Sequence, residues 1–218
     1  MRKLVLLGVV AAAFAAFGAG PASAQVFCNG VLTGPVSGDV IVFPGSNCTL
    51  LFAQVTGNVT NIGGGLEILG STVGQNVISI NGMYFAMNGS GGSSVQGNVI
   101  LIGTSGVPAP FGPLSLRIRA FTTFPVNVVC NSFIGRNLKL VQNTAPFVVG
   151  DPSFCDFGNT IGQNLISVAN TASPFSVRIS LNTIGQNLVC IADTPPATGI
   201  PGSNTVIAGS KIGECSTL

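Results

Sequence analysis

The heptapeptide Asn-Thr-Ile-Gly-Gln-Asn-Leu occurs twice without change, at residues 159–165 and 182–188, and looser copies of its core run through most of the chain. Written as [Val/Ile]-x-x-[Asn/Asp]-[Val/Leu], the core recurs at residues 36–40, 55–59, 73–77, 95–99, 134–138, 161–165 and 184–188. Its polar member falls at Asp39, Asn58, Asn76, Asn98, Asn137, Asn164 and Asn187, in steps of 19, 18, 22, 39, 27 and 23 residues, with 39 reading as about two ordinary periods. A repeat of this length means that each unit is one small element which buries its apolar surface only by stacking on the next, a solenoid.

Each core leads into a short β-branched run, such as Val40-Ile41-Val42-Phe43, Val77-Ile78-Ser79-Ile80, Val99-Ile100-Leu101-Ile102, Leu165-Ile166-Ser167-Val168 and Leu188-Val189-Cys190-Ile191. These read as strands, separated by clusters of Gly, Pro, Asn and Ser that reverse the chain. The expected fold is all-β: a single-stranded parallel β-helix of about eight to nine turns. The recurring Asn is expected to be structural. A side-chain amide donates and accepts at once and tolerates turn backbone, so Asn58, Asn76, Asn98, Asn137, Asn164 and Asn187 are predicted to hydrogen-bond turn to turn as a ladder. Six residues further on, Asn143, Asn170 and Asp193 suggest a second stacked turn.

Arg2 and Lys3, the apolar stretch from Leu4 to Phe17 and the small-x-small ending at Ala24 form the pattern of a secretory signal peptide. The chain is therefore expected to divide into a signal peptide, residues 1–24, and one β-helix domain, residues 25–218. The expected location is secreted, periplasmic or at the cell surface, with no transmembrane anchor after cleavage. Without the leader, six Lys and Arg stand against six Asp and Glu, and there is no Trp and one Tyr. That balance gives no basic footprint and no stacking platform for nucleic acid. It also lacks the aromatic girdles of an outer-membrane barrel, and the regular Thr-x-Thr rows of a flat ice-binding face are missing.

All six cysteines, Cys28, Cys48, Cys130, Cys155, Cys190 and Cys215, follow the predicted cleavage site, and an even count in an exported chain favours disulfides. Sequential pairing is expected, because separations of 20, 25 and 25 residues are each close to one repeat, and stacked turns about 4.8 Å apart lie within disulfide reach. No metal site is expected, since the chain has no His and no Cys-x-x-Cys, and no cofactor is called for. With its Gly-Asn-Val and Gly-Asn-Leu repeats and a Cys-containing end such as Asn187-Leu188-Val189-Cys190, the chain resembles secreted parallel β-helix proteins of pectate-lyase-like architecture. More narrowly, it resembles uncharacterised bacterial exported proteins with such repeats.

Two features bear on function. The strands are apolar on both faces: one face takes Val99 and Leu101 or Leu165 and Ser167, the other Ile78, Ile100, Ile166 and Val189, broken chiefly by Lys139. Burial on both faces is the usual meaning of that pattern. The outer face therefore needs a cover, either the loops at residues 104–115 and 144–158 or a partner, surface or second copy. The other feature is a concentration of charge at Arg117, Arg119, Arg136, Lys139, Asp151 and Asp156. For a polysaccharide-cleaving β-helix, Asp151, Asp156, Arg117 and Arg119 would be the catalytic candidates. The favoured expectation is a non-catalytic exported structural, surface or adhesion-type protein, with self-association or contact with a surface glycan. The alternative is a protein that binds or cleaves polysaccharide through residues 117–156.

Overall fold

The computed structural model describes residues 24–88, 92–106 and 126–218. The predicted leader, apart from Ala24, and Arg117 and Arg119 lie outside the described residues. The chain is all-β and runs through two long parallel sheets. A nine-stranded sheet stacks Gln25–Phe27, Asp39–Val42, Val59–Ile62, Val77–Ile80, Val99–Ile102, Leu138–Val141, Leu165–Val168, Leu188–Ile191 and Lys211–Gly213 in chain order. Every predicted strand of the repeat falls in it.

Between visits to this sheet the chain enters a thirteen-stranded sheet with two arms that meet at the long strand Asn47–Val55, along which Gly30–Val36 also pairs. Residues 47–51 pair with Gly65–Leu69, and from there one arm runs through Tyr84–Asn88, Asn127–Val129, Phe147–Val149 and Val177–Ile179. Gln54 and Val55 pair with Thr72–Val73, and the other arm runs through Ser93–Val95, Ser132–Ile134, Thr160–Ile161, Thr183–Ile184 and Thr205–Val206. Phe52, with φ 50°, makes the corner within the long strand. A repeat thus contributes up to three strands, where the sequence showed one clearly.

Side chains pointing between the sheets make one core running the length of the stack. Val40, Val59, Val77, Val99, Leu138, Leu165 and Leu188 are wholly buried in it, as are Leu50, Ile68, Phe85 and Phe147. Alternation places these residues inward because successive strand side chains point to opposite faces.

The step of 39 residues is one turn, not two. Val99 pairs directly with Leu138, so no strand of the nine-stranded sheet lies between them. The Thr104 amide donates to Asn143 Oδ1 (2.8 Å), continuing the stack, and Asn127–Val129 resumes it. The surplus length falls between these points, chiefly on residues 107–125, outside the described residues.

All three disulfides join the sequential pairs: Cys28 with Cys48, Cys130 with Cys155 and Cys190 with Cys215, with Cα separations of 5.4, 5.3 and 5.3 Å. Among the described residues no helix is long and apolar enough to cross a membrane.

Candidate functional site

The recurring asparagines stack at the entry to the nine-stranded sheet. The Asn76 side-chain amide donates to Asn58 Oδ1 (3.1 Å), Asn98 to Asn76 (3.0 Å), Asn137 to Asn98 (2.9 Å), Asn164 to Asn137 (2.9 Å) and Asn187 to Asn164 (3.0 Å). Each Oδ1 also accepts a backbone N–H from the next turn, as when the Asn164 amide donates to Asn137 Oδ1 at 3.1 Å. A row in which every member donates toward the N-terminal end needs an acceptor at that end. Asp39 is that group, taking the Asn58 backbone N–H at 2.7 Å and its side-chain amide at 3.2 Å.

Two further rows run the other way. Asn143 donates to Asn170 (2.8 Å) and Asn170 to Asp193 (2.9 Å), so that this row too ends on a carboxylate. Asn159 donates to Asn182 (2.9 Å) and Asn182 to Asn204 (3.0 Å), and all three are buried. The sequence reading missed this third row, although Asn159 and Asn182 open the two identical heptapeptides and Asn204-Thr205 repeats their first two residues. With both amide groups engaged between turns, these asparagines are tied up in the scaffold.

Of the charged candidates, Arg117 and Arg119 lie outside the described residues, and Asp151 and Asp156 share one loop but differ in burial. Asp151 is fully buried, and its Oδ2 lies 3.0 Å from Arg178 Nη2 while its Oδ1 accepts the Ser153 N–H at 2.9 Å. The Arg178 guanidinium lies over the rings of Phe154 (5.6 Å) and Phe175 (5.7 Å). This pairing, which the sequence reading did not find, spends Asp151 on holding a loop. Asp156 and Arg136 are exposed, and Lys139 sits on the outer face of the nine-stranded sheet. Tyr84 has its phenol pushed up to about 12, first by burial and then by the Glu67 carboxylate, so it stays protonated at physiological pH and offers no base. Among the described residues no three His, Cys, Asp or Glu come together as metal ligands.

A shallow depression of about 390 Å³ is lined by Thr72, Ser94, Phe133 and Thr160, among others, with no ionisable side chain. Hydroxyl, amide and ring groups alone give it nothing to transfer a proton with at neutral pH.

The remaining feature is the outer face of the nine-stranded sheet. The pairing register aligns Phe27, Ile41, Thr60, Ile78, Ile100, Lys139, Ile166, Val189 and Ile212 in one column. Beside it run Ile62, Ile80, Ile102, Val141, Val168 and Ile191, with Phe43 at their head. Ile62 is 43% exposed, Ile80 40%, Ile191 49% and Phe27 63%. The loop at residues 144–158 does not cover this face. It packs elsewhere, where Phe154 and Cys155 close over Ala86, Val128 and Val148 on the outer side of an arm of the second sheet, anchored by the bridge to Cys130. Of the other loop, Thr104 and Ser105 stack between turns at a corner, through Asn143 Oδ1 and the Gly82 carbonyl, and residues 107–115 lie outside the described residues. No family model, curated protein or solved structure matches the chain.

Proposed function

We propose that this chain is an exported, non-catalytic structural or adhesion-type surface protein, a disulfide-stapled parallel β-helix of about eight to nine turns that works through the apolar face of its nine-stranded sheet. The observation that carries this reading is that face, an apolar patch continuous over nine strands and broken only by Thr60 and Lys139 in a chain with 6% charged residues. Apolar patches of that extent mark contact surfaces. Export is supported by the leader-like N-terminal sequence and by three disulfides, which persist in oxidising compartments. The engagement of Asp151 by Arg178 weighs against polysaccharide cleavage, which needs paired carboxylates available to substrate.

Incubating the oxidised protein with panels of neutral and acidic polysaccharides tests the non-catalytic reading. The expected result is no change in polysaccharide chain length. Release of shortened chains or unsaturated ends that is lost on replacing Asp151 or Asp156 would overturn it.

A further inference from the structure

We propose that the outer face of the nine-stranded sheet pairs with the same face of a second copy of this chain, the two stacks running in opposite directions about a twofold axis parallel to the strands. The axis passes between Val77–Ile80 and Val99–Ile102. The inference rests on the reading of this face as a contact surface and adds its partner and register.

Within the first column, in order from Phe27 to Ile212, only Thr60 and Lys139 are polar. Thr60 stands one strand before Ile78, and Lys139 one strand after Ile100. A twofold axis midway between Ile78 and Ile100 therefore exchanges the two polar positions, as an isologous interface requires. Ile78 then faces Ile100 of the second copy, Ile41 faces Ile166, and the Lys139 ammonium meets the Thr60 hydroxyl. In the second column the same axis sets Ile80 against Ile102, Ile62 against Val141 and Phe43 against Val168, apolar throughout.

Other arrangements satisfy less. With the stacks running the same way about an axis along the stack, Lys139 would lie opposite Lys139 when the axis runs over the first column, a like-charge contact in apolar surroundings, and opposite Val141 with no polar partner when it runs between the two columns. Against a featureless hydrocarbon surface, Lys139 would lose water and gain no partner. Size agrees with a pair. In this register eight strands of each copy overlap; about 4.8 Å apart and each presenting about 13 Å of its length, they offer on the order of 500 Å² per copy. Two copies then bury about 1,000 Å², at the lower end for a specific interface and well below an obligate one. The pairing is accordingly reversible and set by concentration.

Sedimentation equilibrium of the oxidised full domain tests this with three proteins, each checked for native fold by circular dichroism: unmodified, Thr60→Lys, and Thr60→Lys with Lys139→Thr. Lysine at position 60 occupies the same column in which Lys139 already sits, so the fold is expected to persist. The unmodified chain is expected to dimerise reversibly. Thr60→Lys sets two ammonium groups against each other at both symmetry-related contacts and should weaken dimerisation about tenfold or more. The double variant restores one lysine and one threonine per contact and should return the dissociation constant to within about threefold of the original. A chain that stays monomeric at every concentration overturns the interface. A dimer indifferent to Thr60→Lys, or a double variant no stronger than the single one, overturns its register. None of these outcomes bears on polysaccharide cleavage, which decides the non-catalytic reading separately.

Discussion

Replacing Gly185 with alanine is expected to destabilise the stack by about 3 kcal/mol, in spite of alanine's lower unfolded-state entropy, which alone would favour the folded form by about 0.4–1 kcal/mol. A Cβ at this position would lie 2.0 Å from the Gly162 carbonyl oxygen of the preceding turn. The obstacle is backbone, so no side chain can swing aside. A Cβ added at Gly162 would likewise lie 2.2 Å from the Gly135 carbonyl oxygen, and one added at Gly135 2.3 Å from that of Gln96, so the column repeats. Relief would require prising apart turns joined by Gly185 N–H to Ile161 O (2.8 Å) and Gln186 N–H to Gln163 O (2.8 Å). Urea unfolding of the variant measures the effect. A loss under about 0.5 kcal/mol would show that the turns are not held this closely.

Removing the bridge between Cys190 and Cys215 by replacing both with alanine is expected to cost about 2–5 kcal/mol and to loosen the C-terminal end before the middle. Cys215 sits in the 3-10 turn Glu214–Thr217, which with Leu218 closes the end of the core over Leu188–Ile191. Besides the bridge and its core contacts, the segment is held by a few hydrogen bonds. These include the N–H groups of Asp193 and Ala197 donating to the Glu214 carboxylate at 3.1 and 3.3 Å, and Lys211 Nζ donating to the Leu218 carbonyl. Hydrogen exchange should quicken at Lys211–Gly213 and Glu214–Thr217 and stay slow at Val99–Ile102. Uniform acceleration along the stack would mean that the bridge stabilises the whole domain rather than its end.

The sequence made the nine-stranded sheet and its staples legible for one physical reason: a stacked turn places residues one period apart in contact. Asp39, Asn58 and their successors, and cysteines 20 or 25 residues apart, could therefore be assigned neighbours by counting. Counting fails where a turn changes length. The 39-residue step looked like two periods because a turn carrying a long excursion and two plain turns have the same sum. The row of Asn159, Asn182 and Asn204 was visible as a repeat, but the first position of the heptapeptide carried no cue to distinguish a turn residue from a ladder member. The corner after a strand of the main sheet was legible where Gly63, Asn81 or Gly103 makes it, and not elsewhere. Gln142, Ala169 and Ala192 adopt φ of 51°, 54° and 57° there, conformations their residue types do not announce and which the stacking imposes. The pair of Asp151 and Arg178 joins a loop to a strand at a separation of 27 residues where the local strand register, Phe147 with Val177, is 30, so the local periodicity did not reveal it. The doubly apolar strands were plain in the sequence, whereas what lies over their outer face depended on where residues 144–158 fold, a matter of tertiary packing.

The central claim, that this apolar face is open on a single folded copy and is the surface the protein works through, is tested most directly by hydroxyl-radical footprinting of the unmodified, oxidised chain at low and high concentration. Ile62, Ile80 and Ile191 are expected to oxidise readily in dilute solution, while Val59, Val77 and Leu188 on the inner face of the same strands do not, and to become protected as concentration rises. Isoleucines on the outer face that resist oxidation even in dilute solution, or that stay equally reactive at every concentration, would contradict it.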